Sequence, residues 1–119
     1  MKETEMLKKN YEFRTVLTKG HFFIGKQLKV VILRNRKKCK LLGIAISAKN
    51  GKAYLRNRTK RLIREGYKAL ETSIENGYTI VILIKNNVNL KNLKYIDILN
   101  ELKDTLKKAQ IFFIEKNIE

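Results

Sequence analysis

The sequence predicts an α+β fold in which three helices pack on a small sheet, with the elements in the order αβββαβα. Apolar residues recur at helical spacing in three segments, which indicates amphipathic helices. Four shorter segments are rich in β-branched residues or apolar almost throughout, as strands are. The 119 residues contain no proline, no Gly/Ser-rich linker and no internal repeat, so we expect a single domain spanning residues 1–119.

The first predicted element is a short helix from Tyr11 to Thr18. Asn10 is expected to cap its N-terminus, because a short polar side chain at that position can accept a hydrogen bond from an unpaired backbone N–H. Gly20 is expected to end the helix. The apolar face comprises Phe13, Val16 and Leu17.

Three strands are predicted to follow this helix. The first two run from His21 to Ile24 and from Gln27 to Leu33, and the second has a β-branched run at positions 30–32. The third, from Leu41 to Ser47, is apolar almost throughout, as expected of a central strand. The basic segment from Arg34 to Lys40 is interpreted as a solvated hairpin loop, with a nucleic-acid contact as the alternative.

The most basic stretch runs from Lys49 to Glu65, and six of the nine residues between Arg56 and Arg64 are cationic or Asn. On a helix, at about 100° per residue, its apolar residues form one stripe. The stripe comprises Leu55, Thr59, Leu62, Ile63, Gly66, Ala69 and Leu70. The opposite face presents Asn57, Arg61, Arg64 and Lys68, with Arg56 and Lys60 on one shoulder and Arg58 on the other. Such a helix docks by its apolar side and offers guanidinium and amide donors to phosphate oxygens.

One further strand and one further helix complete the prediction. Asn76 and Gly77 break the helical pattern, and the buried strand from Tyr78 to Ile84 follows them. A polar loop then leads to a last helix from about Lys94 to Phe113. Its apolar stripe comprises Tyr95, Leu99, Leu102, Leu106, Ala109 and Phe113.

The charge of the chain points to a polyanionic partner. Lys and Arg number 27 against 11 Asp and Glu, which gives a formal net charge of +16. Nucleic acid is favoured over a membrane surface, because the basic helix lacks the bulky apolar anchors that interfacial helices use. The single cysteine, Cys39, fits a reducing compartment, and no signal-peptide pattern or membrane span is apparent, so we expect a cytoplasmic protein.

The residues that could carry catalysis are sparse. Asp97, Glu101 and Asp104 fall on one face of the last predicted helix, but this is also the pattern of any solvated helix face. His21 has no neighbouring Cys or second His. We therefore predict no catalytic and no metal-binding residues in the polypeptide.

The basic stretch resembles the signature of the bacterial ribonuclease P protein subunit. In that signature a Lys, a Gly and an Ala lead into R-N-R-x-K-R. Here these positions are Lys49, Gly51 and Ala53, then Arg56, Asn57, Arg58, Lys60 and Arg61. A second R-N-R triplet, at positions 34–36, lacks both the lead and the helical apolar stripe. The likeness extends over most of the chain, but it is specific only from Leu42 to Glu65.

The resemblance implies a more detailed fold and function. The fold would be a two-layer sandwich similar to the second domain of ribosomal protein S5, with a left-handed crossover through the basic helix. General rules for parallel crossovers would instead predict a right-handed one. The chain would be an accessory subunit that binds the catalytic RNA and the single-stranded 5′ leader of precursor tRNA. Hydrolysis would depend on Mg2+ held by that RNA, with no cofactor bound by the protein itself and no membrane or protein partner required.

Two surfaces are implied by the same resemblance. RNA contacts are expected from Lys49, Arg56, Asn57, Arg58, Lys60, Arg61, Arg64 and Lys68. A groove between the first helix and the sheet would accept the leader by stacking and charge. Its expected lining is Phe13, Leu17, Val31 and Ser47. Leu17 stands where relatives usually have an aromatic residue, and plain core packing is the alternative role of Phe13.

Two other functions are compatible with parts of the sequence. A ribosomal or ribosome-assembly protein would share the charge, the size and the fold, but it should sediment with ribosomal subunits. A self-sufficient nuclease would need convergent carboxylates or an acid–base pair, in which the sequence is poor.

Overall fold

A computed structural model describes residues 3–111 and contains a five-stranded mixed sheet with three α-helices, which confirms the α+β prediction. The strands are β1 (Thr4–Met6), β2 (His21–Ile24), β3 (Leu28–Arg34), β4 (Lys40–Ala45) and β5 (Tyr78–Ile84). The helices are α1 (Asn10–Lys19), α2 (Ala53–Leu70) and α3 (Tyr95–Lys108). Single 3-10 turns occupy residues 48–50, 71–73 and 90–92. Within the described residues, no helix is both long and apolar enough to cross a bilayer.

The strands lie in the order β1-β4-β5-β3-β2. β3 is antiparallel to β2 and β5, whereas β4 is parallel to β1 and β5. Since β4 and β5 are parallel neighbours, the chain crosses between them through α2, the connection for which the resemblance implies a left-handed path. One row of paired residues crosses the sheet, comprising Phe22, Val31, Val81 and Gly43.

The two faces of the sheet have different covers. The main core lies between the sheet and the α2–α3 pair, and it includes Leu42, Ile63, Ile80, Ile82 and Leu102. On the other face, α1 covers a smaller cluster formed by Leu7, Val16, Val31, Leu41 and Val81, with Phe13 and Leu17 packed against it. The sheet and the α2–α3 pair are thus the two continuous layers, and α1 covers part of the remaining face.

The start of α1 differs from the prediction. Asn10 is the first helical residue and not the cap, because the carboxylate of Glu12 supplies the capping hydrogen bonds. Glu12 Oε1 accepts the backbone N–H of Lys9 at 3.0 Å and that of Lys8 at 3.3 Å. The Lys9 hydrogen bond, assisted by the nearby charge of Lys37, lowers the pKa of Glu12. At the other end Gly20 stops the helix as predicted, and its N–H donates to the Val16 carbonyl at 2.7 Å.

Strand β1 was not predicted from the sequence, and side chains distant in sequence hold it in place. Lys40 Nζ donates to Glu3 Oε1 at 2.7 Å and to the Glu71 carbonyl at 2.6 Å. Thr4 Oγ1 lies 2.9 Å from the hydroxyl of Tyr67. Lys40 is only 2% exposed, so its assignment to a solvated loop was wrong. The buried ammonium joins β1, β4 and the end of α2.

Alkaline pH is expected to weaken this corner of the fold through Tyr67. Burial raises the pKa of Tyr67 to about 12, above the ordinary tyrosine value of 10.0. Because the native state favours the neutral phenol, the stabilisation is complete below pH 10 and is lost as the pH rises towards 12. The free energy of unfolding of the wild type should therefore fall, between these pH values, relative to that of Tyr67→Phe. Parallel pH curves for the two proteins would contradict this expectation.

The last helix is shorter and turned relative to the prediction. Its buried residues are Ile98, Leu102, Thr105 and Leu106, whereas Tyr95 is 38% exposed. The predicted stripe began with Tyr95 and Leu99, whereas the observed stripe begins with Ile98, which lies beside Gly66 of α2. The helix ends at Lys108, and Gln110 has φ of 59°, which stops further helix. Phe113 lies outside the described residues.

Candidate nucleic-acid interface

The outer face of α2 is arranged as its periodicity predicted. Leu55, Thr59 and Ile63 are buried, with Tyr67 added at the edge of the stripe, although Ala69 is exposed. The residues expected opposite them are all exposed, namely Asn57, Arg61, Arg64 and Lys68. Within residues 3–111, no carboxylate forms an ion pair with Arg61 or Arg64. The helix therefore presents uncompensated cations along a convex surface about 27 Å long, at roughly 1.5 Å per residue over its 18 residues.

The shoulder residues of α2 have structural contacts in addition to charge. Arg56 Nη1 donates to the Gly51 carbonyl at 2.8 Å, and Arg58 Nη2 lies 3.4 Å from the Leu93 carbonyl. Both side chains are half-buried, as is Lys60. Each guanidinium has five N–H donors, so one bond to the backbone leaves the others available for phosphate. Their contacts also hold the guanidinium groups in place beside the helix.

The segment before α2 places Lys49 at the end of β4. Ser47 Oγ accepts the backbone N–H of Lys49 at 3.1 Å, and this bond starts the 3-10 turn of residues 48–50. Asn50 is buried, and its Nδ2 donates to the carbonyls of Lys85 at 2.9 Å and Val88 at 3.1 Å. These bonds fix the turn against the β5–α3 loop. The side chain of Lys49 is left exposed beside the first turn of α2.

Phe13 lies over Gly43, a glycine of β4. A Cβ at Gly43 would be 2.6 Å from Phe13 Cε1, so only glycine leaves room for the ring at this depth. Phe13 and Leu17 are both half-buried, with part of each side chain facing outward. The sequence analysis did not identify Gly43, because nothing local marks a glycine within an apolar strand as the floor beneath an aromatic ring.

Val31 does not offer the contact surface expected of it. It faces α1, but it is 0% exposed because the helix covers it. The open part of this face is the next row of paired residues, which comprises Ile24, Lys29, Leu83 and Ala45. A pocket of about 320 Å3 includes Lys29, Ala45 and Leu83 and extends to the exposed Ser47. Phe13 packs over Gly43, the neighbour of Ala45 on this face, so the pocket lies next to Phe13 and has Lys29 as a cation in its lining. We call this region the groove beside Phe13.

The structure thus separates the predicted site residues into two groups. The α2 cations lie on the helical side of the sheet, and Phe13 and Leu17 belong to the opposite face. Ser47 follows the end of β4 and lines the pocket that includes Lys29 and Leu83. The turn containing Lys49 connects the two groups, since it follows β4 and precedes α2. The predicted site residues therefore form two separate surfaces.

Among the carboxylates of α3, Glu101 has a structural role. Glu101 accepts the backbone N–H of Gln27 at 2.9 Å and that of Leu28 at 2.8 Å, which fastens the β2–β3 turn to α3. A Cβ at Gly25 would be 2.7 Å from Glu101 Oε1, so glycine lets the turn approach this carboxylate closely. In the described part of the chain, no group of three or more His, Cys, Asp or Glu is placed to hold a metal ion.

Comparison with known proteins gives a consistent result. The family model "Ribonuclease P" matches residues 1–110. The ribonuclease P protein component of Clostridium botulinum (strain 657 / Type Ba4) is 39% identical over 113 residues, which cover 94% of this chain and 99% of the relative. That of Clostridium kluyveri is 38% identical over 108 residues, covering 89% and 95%.

Solved structures agree with these sequence matches. The RNase P protein of Staphylococcus aureus superposes with a TM-score of 0.79 at 33% identity, over 90% of this chain and 96% of that protein. The RNase P protein of Thermotoga maritima gives a TM-score of 0.78 at 24% identity, over 87% and 96%, and shows the same fold.

Proposed function

Because the chain belongs to the ribonuclease P protein family, and so is a protein component of ribonuclease P in tRNA processing, we propose that it holds the RNase P RNA and the 5′ leader of precursor tRNA on opposite faces of its sheet. Partnership with the RNase P RNA follows from the family. The same match decides against the ribosomal alternative. The observation that carries the proposal is the separation of the exposed α2 cations from the groove beside Phe13.

The α2 face is assigned to the RNase P RNA. Arg61, Arg64 and Lys68 are exposed and form no ion pair with any carboxylate of the described residues, and Lys49 extends this surface at the start of the helix. Contacts from guanidinium and ammonium groups to phosphate oxygens position an RNA without reading its sequence. The rigid backbone of α2, docked by Leu55 and Ile63, keeps these donors in a fixed array.

The groove is assigned to the leader. Phe13 presents part of its ring, Lys29 supplies a positive charge, and Leu83 and Ala45 give an apolar floor. Single-stranded RNA is bound in this way elsewhere, by stacking of bases on side chains and by charge along the backbone. The first helix thus acts as one wall of the groove, and Leu17 extends that wall without an aromatic ring.

The chemistry of cleavage is assigned to the RNA subunit with its bound Mg2+, and we place the reaction in the cytoplasm. Two observations support this division. The described residues offer no three-ligand carboxylate or histidine set, and Glu101 is committed to the β2–β3 turn. The polypeptide then contributes affinity and positioning: its cations reduce repulsion between two polyanions.

Reconstitution tests this proposal. The polypeptide freed of RNA is expected not to cleave precursor tRNA, and it should increase cleavage by the RNase P RNA of the same organism at low Mg2+ concentration, where charge repulsion between the RNAs is greatest. The readout is the rate of release of the 5′ leader with RNA alone, protein alone and both together. Cleavage by the RNA-free protein that disappears in Asp97→Asn or Asp104→Asn would contradict the assignment.

A further inference from the structure

The turn between β3 and β4 carries a second basic cluster. Arg34, Arg36, Lys37 and Lys38 are all exposed there, around the second R-N-R triplet of the chain. The turn lies at the end of the sheet where β5 begins, since Arg34 pairs with Tyr78. The leader groove opens at the other end, roughly 20 Å away at about 3.3 Å per residue along β3. Neither surface assigned above includes this cluster.

Asn35 organises the turn from within. Its Nδ2 donates to the Cys39 carbonyl and to Thr79 Oγ1, both at 3.1 Å. Its Oδ1 accepts the N–H of Lys37 at 3.1 Å, and its own N–H donates to the Gly77 carbonyl at 2.7 Å. The side chain therefore bonds inward while its basic neighbours project outward. In α2 the Asn of the same triplet is exposed, so identical residues serve different local structures.

The basic side chains surround a concave surface. A pocket of about 620 Å3 is lined by Arg34, Asn35, Arg36, Lys38, Asn76 and Gly77. Gly77 has φ of 93°, which favours glycine, and its N–H donates to the Cys39 carbonyl at 3.1 Å. The Arg34 guanidinium carbon lies 5.9 Å from the centre of the Tyr78 ring, so the aromatic face holds this cation at the pocket edge.

Lys38 occupies a backbone conformation that disfavours lysine. Its φ is 55°, in the left-handed region that glycine and asparagine adopt at lower cost. A lysine at such a position favours a binding role for its side chain. Lys37 lies near Glu12 of α1, which offsets part of its charge. Arg34, Arg36 and Lys38 have no such carboxylate partner within residues 3–111.

We propose that this pocket binds a backbone phosphate of RNA, as a third RNA contact separate from the α2 face and the leader groove. The proposal rests on the function assigned above. Cations approach from Arg34, Arg36 and Lys38, and forked guanidinium donors match the geometry of phosphate oxygens. The fixed turn backbone means that little ordering is needed on binding. Both the RNase P RNA and precursor tRNA carry this ligand, and separate binding experiments distinguish them.

A pair of double variants tests the pocket at equal charge. The first is Arg36→Ala with Lys38→Gly, which removes two pocket cations and suits the backbone of position 38. The control is Lys103→Ala with Lys108→Ala, which removes two exposed cations from α3, the helix that also carries Asp97 and Asp104. Affinity for the RNase P RNA, and affinity of the assembled complex for precursor tRNA, are measured against salt concentration. The pocket variant should shallow the slope of log K by about 0.7 to 0.9, the contribution of one phosphate contact.

The two sets of results have defined meanings. A shallower slope in either experiment supports the pocket and identifies which RNA occupies it, provided that the control slope is unchanged. Equal slopes for the pocket variant and the control in both experiments would overturn the proposal, because the effect would then be one of net charge alone. The melting temperature of the pocket variant should not fall, since glycine relieves position 38. Loss of binding in Arg61→Ala with Arg64→Ala, measured in parallel, shows that the proposed function stands even if the pocket fails.

Discussion

Replacing Arg61 and Arg64 together by alanine is expected to weaken assembly with the RNase P RNA by about 100-fold or more. Each side chain is exposed on the outer face of α2 and is free of an ion pair within residues 3–111. Hydrogen bonds to charged groups contribute roughly 1.5 to 3 kcal/mol each, and about 1.4 kcal/mol corresponds to tenfold in affinity. The slope of log K against log salt should also become shallower by about 1.4 to 1.8. Titration of the RNA with each protein at several salt concentrations measures both quantities.

The melting temperature and a conservative Arg→Lys variant distinguish a loss of RNA contacts from a loss of folding. The melting temperature of the double alanine variant should stay close to that of the wild type, because neither side chain packs against the core. Arg61→Lys with Arg64→Lys keeps the charge and loses the forked donors, so it should bind with intermediate affinity. Arg58 is less suitable for this test, since its contact with the Leu93 carbonyl links binding to local structure. Unchanged affinity of the double alanine variant would remove α2 from the RNA interface.

The α2 face could be predicted because the signal is local. Eighteen consecutive residues repeat an apolar stripe at helical spacing, and the stripe alone determines that Asn57, Arg61, Arg64 and Lys68 point away from the sheet. Strands β2 and β5 were predicted with the bounds that the structure has, since turn residues stand directly beside them. Helical periodicity is therefore sufficient to predict the exposed residues of a helix that packs on one apolar layer.

The unpredicted features depend on contacts between segments far apart in sequence. Strand β1 is three residues long, and two of these residues are polar. Hydrogen bonds from Lys40 to Glu3 and between Tyr67 and Thr4 hold it in place. The clamp from Glu101 to the β2–β3 turn joins residues more than 70 positions apart. Such pairings have no local pattern from which they could be read.

Val31, expected in the groove, shows the same limit of prediction from sequence. The sequence left the register of β3 open by one residue, and the structure has Val31 on the face of the sheet that α1 covers. Whether a residue on that face is accessible depends on how far α1 extends over it. The helix covers Val31 completely and leaves Lys29, two residues away on the same face, half-buried. Val31 therefore lies on the α1 side of the sheet but has no exposed surface to offer a ligand.

Phe13→Ala is expected to reduce binding of precursor tRNA relative to mature tRNA by roughly 1 to 3 kcal/mol, the contribution of one stacked base. Mature tRNA lacks the leader and should be bound as before, and assembly with the RNase P RNA should be unaffected. The ring also packs over Gly43 and is half-buried, so some stability is lost as well. That loss should be smaller than the roughly 3 to 5 kcal/mol typical of a fully buried aromatic residue.

Two further variants distinguish stacking from packing. Phe13→Leu keeps most of the apolar contact over Gly43 and removes the aromatic face, so its melting temperature should be close to wild type while the precursor-to-mature affinity ratio still falls. Gly43→Ala leaves Phe13 in the sequence but places a methyl group about 2.6 Å from its Cε1, which displaces the ring and should lower the same ratio. If Phe13→Leu and Gly43→Ala preserve the ratio and Phe13→Ala causes only a large loss of stability, the ring is a packing residue and the leader must bind elsewhere on the sheet.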